Sequence, residues 1–201
     1  DRFSQAVLLK LPVGVTREDV VTTVDAVLAQ HDVLRSRLTG TGTDRTFESL
    51  SVGDAFGAGE LIERLEITAA PGTSEFAEFG QNAMNRAADR LDPAAGRMVQ
   101  FVWFDPAPEL GDTGGRLLVL AHHLVVDGVS WRILVPDFVA AGSQVSQGQQ
   151  PQLPATGSSM RAWANGLVEE ARSPHRSAEL DFWQRTLAGE DPLLGSRALD
   201  P

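Results

Sequence analysis

Apolar residues recur along this chain with two spacings, which predict alternating strands and helices. Short apolar runs are typical of buried strands, and they occupy residues 3–11, 61–67, 98–104 and 116–121. Helical spacing of apolar residues predicts half-buried helices over about 16–31 and 74–91. The run at 98–104 is apolar on both faces, as a central strand covered on two sides would be. The pattern predicts an α/β fold in which helices pack against a mixed sheet.

Residues that cap helices mark where the predicted helices begin. Thr16 and Asp19 have the spacing of a capping box, in which each side chain bonds to the other residue's backbone amide. Ser74 is the predicted cap of the second helix, and Ser130 is the predicted cap of a third.

The last part of the chain is predicted to be mainly helical, over residues 131–145, 159–172 and 177–187. Pro136 lies inside the first of these helices and should kink it, because proline removes a backbone donor. A Gln- and Pro-rich linker at 148–157 precedes the other two. Trp163 and Trp183 recur with apolar neighbours at helical spacing, so we expect them to be packing anchors rather than ligand stackers.

Composition excludes several classes of function. Hydrophobic residues make up 42% of the chain and charged residues 22%, which is ordinary for a globular domain. The formal net charge of −10 argues against a nucleic-acid surface. The absence of cysteine excludes disulfides and thiol chemistry, and neither a transmembrane run nor a signal peptide is expected. The chain begins at Asp1 rather than Met, so we expect it to be part of a longer polypeptide.

Two adjacent histidines follow the apolar run at 117–120, where a buried strand is expected to end. His122 and His123 should point to opposite faces, because successive side chains alternate along a strand. One imidazole can then face a cavity while the other packs inward. Asp127 and Gly128 supply the residue types of a turn. Histidine suits proton transfer near neutral pH, so this cluster favours proton-transfer chemistry over a purely structural role.

Metal binding is the competing use of histidines. Only His31 and His175 remain elsewhere in the chain, and cysteine is absent. No helical His-x-x-x-His pair or other ligand spacing occurs, so a metal site is disfavoured.

The segment at 122–131, His-His-Leu-Val-Val-Asp-Gly-Val-Ser-Trp, resembles the HHxxxDG motif of the condensation-domain superfamily of nonribosomal peptide synthetases. The continuation from Ser130 and Trp131 into Arg-Ile-Leu is more similar to the epimerization branch than to the peptide-bond-forming branch. Residues 31–38 resemble the superfamily's second motif, which runs into a strand. The resemblance implies that residues 1–201 are the N-terminal lobe of a chloramphenicol acetyltransferase-like fold, whose second lobe is absent from this chain.

The resemblance also implies roles for individual residues. His123 would face the channel as base or acid, and His122 would pack and hydrogen-bond. Gly128 would allow close approach of the substrate arm, and helix amides near Ser130 would help to polarise a carbonyl oxygen.

Arg35 would form a buried ion pair with Asp127 and hold the histidine loop in shape, so that loss of either partner would destabilise the loop. Residues 191–201 resemble the crossover into the second lobe of epimerization domains.

The implied reaction is epimerization, from L to D, of an aminoacyl or peptidyl thioester on the phosphopantetheine arm of a carrier domain. It needs no bound cofactor or metal. The implied partners are the carrier domain, the second lobe and neighbouring synthetase domains, in the cytoplasm and without nucleic acid or membrane. The lobe alone should be inactive, because the family's opposing glutamate belongs to the second lobe.

Two alternatives remain open. In a condensation domain, His123 would assist an acceptor amine in attacking a donor thioester, and the same residues would serve. A degenerate domain that only recruits a partner is the other alternative, although such a module does not need the intact His-His, Asp and Gly.

Overall fold

The computed structural model describes residues 3–189, which belong to two compact units that divide after residue 155. The strands are β1 (Ser4–Lys10), β2 (Ser36–Thr39), β3 (Thr46–Ser49), β4 (Ile62–Ile67), β5 (Val99–Pro106) and β6 (Arg116–His122). The helices are α1 (Arg17–Gln30), α2 (Ala58–Leu61), α3 (Ser74–Asp89), α4 (Trp131–Ser146), α5 (Met160–Ala171), α6 (Pro174–Ser177) and α7 (Leu180–Leu187).

The first unit is built on a four-stranded sheet with the order β1-β6-β5-β4. Strand β6 pairs antiparallel with both β1 and β5, whereas β4 pairs parallel with β5. The predicted mixed sheet is therefore confirmed, and each of the four predicted strands forms with ends shifted by at most three residues. Strands β2 and β3 form a separate two-stranded sheet.

Both faces of the central strands are buried, which explains their continuous apolar runs. On one face Phe101 packs in the core that also contains Val24 of α1 and Phe138 of α4. On the other face Phe104 packs with Phe76 and other residues of α3. The sheet is thus covered by helices on two sides, and the predicted α/β architecture is confirmed.

Local capping is confirmed for the first helix and corrected for the helix α3. The amide of Asp19 donates to Thr16 Oγ1 at 3.2 Å, and the amide of Thr16 donates to Asp19 Oδ2 at 2.9 Å. The cap of α3 is Thr73, whose Oγ1 accepts from the amide of Phe76 at 3.2 Å, so the prediction of Ser74 as cap is wrong. Thr73 and Ser74 both carry a hydroxyl group that is able to cap a helix. Thr73 is the cap because it has the extended backbone that this position requires, whereas Ser74 is the first residue of the helix.

The second unit contains the helices α5, α6 and α7. The helix predicted over 177–187 is instead a short turn of helix followed by α7. Trp163 and Trp183 are 58% and 51% exposed, so within the described residues the prediction that they are packing anchors is wrong. The predicted crossover at 191–201 lies outside the described residues. None of the described helices is long and apolar enough to span a membrane.

Candidate active site

The two histidines at the end of β6 differ in exposure: His122 is the last residue of the strand, and His123 begins the turn that follows. His122 is 8% exposed and its Nδ1 accepts from the amide of Leu124 at 3.1 Å, which ties the turn back onto the strand. Its own amide donates to Met98 O at 2.8 Å, just before β5 begins. His123 is only half-buried, and its amide donates to Phe3 O at 2.9 Å. The prediction that His123 is the more exposed of the pair is confirmed.

The imidazole of His123 is held by residues at the start of the chain. The ring of Phe3 stacks on it with the centroids 4.5 Å apart and the planes 14° from parallel. Gln5 Nε2 lies 3.0 Å from His123 Nε2. The other end of the same amide, Gln5 Oε1, accepts from the indole N–H of Trp131 at 2.8 Å. A chain of hydrogen bonds therefore joins Trp131 at the start of α4 to the imidazole.

Sequence analysis did not identify Phe3 or Gln5 as site residues. They reach the site because β1 and β6 pair in a register that sets Ser4 opposite His122 and Gln5 opposite Ala121. The available signal was a polar residue, Gln5, just before the apolar run at 6–9 of β1.

Asp127 organises the turn that follows the histidines. Its Oδ1 accepts from the amide of Val129 at 3.0 Å, from the amide of Ser130 at 2.8 Å and from Ser130 Oγ at 2.7 Å. In return, Ser130 Oγ accepts from the amide of Asp127 at 3.1 Å. The Ser130 hydroxyl and these backbone donors lower the pKa of the Asp127 carboxyl below its usual range, because they stabilise the charged form.

This geometry corrects two expectations for the start of α4. Ser130 occupies the N-cap position of α4, as predicted, but it has helical φ and ψ of −53° and −37° and its side chain caps no helix amide. Asp127 instead accepts from the amides of Val129 and Ser130, in the turn that leads into α4. The amides of Val129 and Ser130 are already bonded to Asp127, so these two are not available to polarise a carbonyl oxygen.

Arg35 does not form the predicted ion pair with Asp127. Its guanidinium donates to the carbonyls of Leu28, of Ala29 at 3.0 Å and of Leu50 at 3.3 Å. Arg35 ends a short 3₁₀ turn beside the C-terminus of α1, where helix carbonyls lack intrahelical partners and attract cations. The prediction is therefore wrong because the nearest unsatisfied acceptors were local carbonyls, and the donors that Asp127 needs lie within its own turn.

Gly128 lies on the open side of this turn. A Cβ built on it would meet no atom within 4 Å, and its φ is not positive. Packing within the described chain therefore does not require glycine at this position. Its expected role, room for a substrate arm, stays a prediction.

The first unit also contains a surface groove and a second histidine–carboxylate contact, neither of which involves His122 or His123. A groove of about 300 Å³ lined by residues of β1, α1 and α4, among them Leu9, Thr23 and Phe138, includes neither histidine. His31 at the end of α1 pairs with Asp137 of α4, with Nε2 and Oδ2 2.6 Å apart. Among the described residues, no three His, Asp or Glu side chains are arranged to hold a metal ion.

The profile of the condensation domain family matches residues 1–197. The chain belongs to this family. It is 34% identical over 201 residues to one of the linear gramicidin synthase polypeptides of Brevibacillus parabrevis, and the match covers 99% of this chain but only 2% of that polypeptide. It is also 30% identical over 183 residues to surfactin synthase subunit 1 of Bacillus subtilis (strain 168), where the match covers 91% of this chain and 5% of the relative. The chain therefore spans a small part of the length of these relatives.

Comparison with a solved structure identifies the fold. The epimerization domain from the third module of tyrocidine synthetase B matches with a TM-score of 0.72 and 26% identity. The match covers 96% of this chain and 41% of that domain's chain. The expected chloramphenicol acetyltransferase-like fold is thereby confirmed for this condensation-type chain.

Acid is expected to loosen the histidine end of β6 through His122. Burial is the largest cause that lowers the pKa of His122 below its ordinary value of 6.5, and the positive charge of protonated His123 acts in the same direction. In the pH range below 6.5 the unfolded chain therefore binds a proton that the folded strand resists, so stability falls as the pH drops through that range. Protonation also removes Nδ1 as the acceptor of the Leu124 amide. Hydrogen-exchange protection of residues 117–126, corrected for intrinsic rates, should be lower at about pH 5.5 than at about pH 7.5.

The matched control is His122→Asn, whose amide oxygen keeps an acceptor for the Leu124 amide but does not titrate. Protection in this variant should be the same at both pH values. An equal acid-induced loss in the variant would show that another group causes it.

Proposed function

We propose that this chain forms the N-terminal lobe of an epimerization domain in a nonribosomal peptide synthetase. The proposed reaction inverts the α-carbon of an aminoacyl or peptidyl thioester carried on a phosphopantetheine arm. The observation that carries the proposal is the half-buried imidazole of His123, linked through Gln5 to Trp131. Trp131 belongs to the continuation of the HHxxxDG segment that resembles the epimerization branch, and the solved epimerization domain supports the same branch.

The chemistry needs a base beside an acidified C–H bond. The thioester carbonyl acidifies the α-hydrogen, because the electron pair left after deprotonation is delocalised as an enolate. His123 takes this proton, and an acid returns a proton to the opposite face of the α-carbon. No electrons are gained or lost, so the reaction needs no oxidant or reductant.

The second proton-transfer group is proposed to lie in the second lobe. This chain spans 41% of the solved epimerization domain's chain, which leaves the larger part of such a domain outside it. The lobe alone is therefore proposed to be inactive. The proposed partners are that lobe, a carrier domain and neighbouring synthetase domains, in the cytoplasm.

Condensation is the second candidate function, since nearly the whole chain matches the condensation domain family. There His123 would assist the acceptor amine as it attacks the donor thioester. A domain that only recruits a partner is the third candidate, and it would leave the substrate chemically unchanged.

One assay separates these candidates. The full-length protein, with its carrier domain loaded with an aminoacyl or peptidyl thioester, is incubated in D₂O. Mass spectrometry then detects deuterium at the α-carbon, and chiral analysis of the released acid detects inversion. Exchange with inversion is the expected result. Peptide-bond formation without exchange would favour condensation, and neither reaction would favour a recruiting domain.

A further inference from the structure

We propose that Gln5 is a positioning residue for His123. Its amide, oriented by the indole N–H of Trp131, selects the tautomer of the neutral imidazole that carries the proton on Nδ1 and the lone pair on Nε2. The consequence for catalysis rests on the proposed function, whereas the protonation pattern follows from the hydrogen bonds alone.

The first step concerns the orientation of the Gln5 amide. An indole N–H is a donor only, so the atom that faces Trp131 Nε1 at 2.8 Å has to be an acceptor. This assigns the oxygen of Gln5 to Trp131. The NH₂ group of the same planar amide is then turned toward His123.

The second step concerns the imidazole. The Gln5 NH₂ group has donors but no lone pair to accept with, and it lies 3.0 Å from His123 Nε2. An N–H on Nε2 would point at another N–H, so Nε2 has to be the accepting nitrogen. A neutral imidazole carries one proton, which places it on Nδ1.

The third step concerns the ring itself. The face of His123 is stacked on Phe3, and its backbone amide is bonded to Phe3 O. These contacts fix where Nε2 points, while Gln5 selects the tautomer. In the neutral ring the base atom is thus Nε2, and substrate has to displace the amide N–H to reach it.

Removal of the α-proton also changes this network. Once Nε2 carries a proton, two N–H donors face each other, because the NH₂ group of Gln5 still points at Nε2. This repulsion is removed only if the amide turns and gives up its hydrogen bond from Trp131. The amide therefore has to reorient when Nε2 gains the proton, which couples the hydrogen bond from Trp131 to the proton transfer.

The network is tested by changing one group at a time in the full-length protein. In Gln5→Glu the carboxylate still accepts from Trp131 but offers Nε2 an acceptor instead of a donor. We expect the imidazole proton to move to Nε2 and kcat for α-hydrogen exchange to fall about 100-fold, with little change in KM. Trp131→Phe keeps an aromatic ring but frees the amide to turn, so kcat should fall only about fivefold.

The direct readout is the tautomer, measured by solid-state ¹⁵N NMR of histidine-labelled full-length protein. The His123 signal is assigned by its loss in His123→Gln. We expect a bare Nε2 and a protonated Nδ1 in the unmodified protein, with the pattern reversed or the ring doubly protonated in Gln5→Glu. Gln81→Glu places the same charge change on the exposed face of α3 and should alter neither the spectrum nor kcat.

The possible outcomes test the tautomer, the positioning role and the proposed function separately. A protonated Nε2 on a neutral His123 ring in the unmodified protein would overturn the assignment of the network. The expected tautomer together with an unchanged kcat in Gln5→Glu would overturn the positioning role. If the unmodified protein exchanges no α-hydrogen, the proposed function fails, and the NMR spectrum still decides the tautomer.

Discussion

Replacing His123 with alanine in the full-length protein is expected to abolish exchange of the substrate's α-hydrogen with D₂O. General acid–base catalysis contributes about 10²–10⁴-fold, and alanine leaves no group at this position that can take a proton. The imidazole is half-buried and contacts Gln5 and Phe3 at the edge of the sheet, so its loss should not unfold the core. Exchange is followed by mass spectrometry of the carrier-bound substrate, and hydrogen-exchange protection of β5 and β6 verifies the fold.

The matched control for this substitution is His175→Ala. The His175 side chain is 76% exposed in the second unit, and its nearest charged partners, Glu170 and Glu179, are 4.0 and 3.9 Å away. This variant should exchange the α-hydrogen at the unmodified rate. A well-folded His123→Ala protein that also exchanges at the normal rate would eliminate His123 as the proton-transfer group.

The contrast between the two histidines was predictable because it depends on where one strand ends. Strand β6 is buried on both faces and ends at His122, whereas His123 already belongs to the turn that follows. The capping box of Thr16 and Asp19 was predictable for the same kind of reason. Its partners are three residues apart, and local sequence carries the whole interaction.

The contacts of His123 were not predictable because they join distant parts of the chain. Gln5 and His123 are separated by 118 positions, and Gln5 and Trp131 by 126. Their meeting depends on the pairing register of β1 with β6, which turn and packing geometry determine rather than the local residues.

Arg35 illustrates a different limit of prediction from sequence. Its resemblance to a family motif implied a partner in the histidine segment, but a motif does not determine which acceptor a side chain bonds. Carbonyls at the end of α1 lie within a few residues of Arg35 and require donors in any case. Asp127 had its own donors within three residues, so neither partner needed the other.

The second unit shows that a helical pattern predicts a helix without predicting what its apolar face contacts. The helix expected at 159–172 forms with its ends shifted by one residue. Trp163 on that helix is nevertheless more than half exposed in the described residues. Periodicity identifies the face that is able to pack, whereas burial requires an opposing surface, which the sequence of the helix does not contain.

Phe101→Ala is expected to destabilise the sheet that delivers the histidines by about 3–5 kcal/mol. Phe101 is fully buried in β5, and its ring meets Phe138 of α4 edge to face with the centroids 6.1 Å apart. Alanine would leave a cavity between the sheet and α4. In the full-length protein, backbone hydrogen exchange of β5 and β6 should accelerate by about two to four orders of magnitude if these strands exchange through a common opening.

The control for this substitution is Phe47→Ala on β3, where the side chain is 45% exposed and the same atoms are removed outside the main core. Its effect on exchange of β5 and β6 should be less than about tenfold, because little buried volume is lost. Unchanged protection in Phe101→Ala would mean that the contact with α4 does not hold the sheet. The expected loss would instead show that packing between the sheet and α4 maintains the histidine segment, because β6 leads directly into His123 and Trp131 of α4 donates to Gln5.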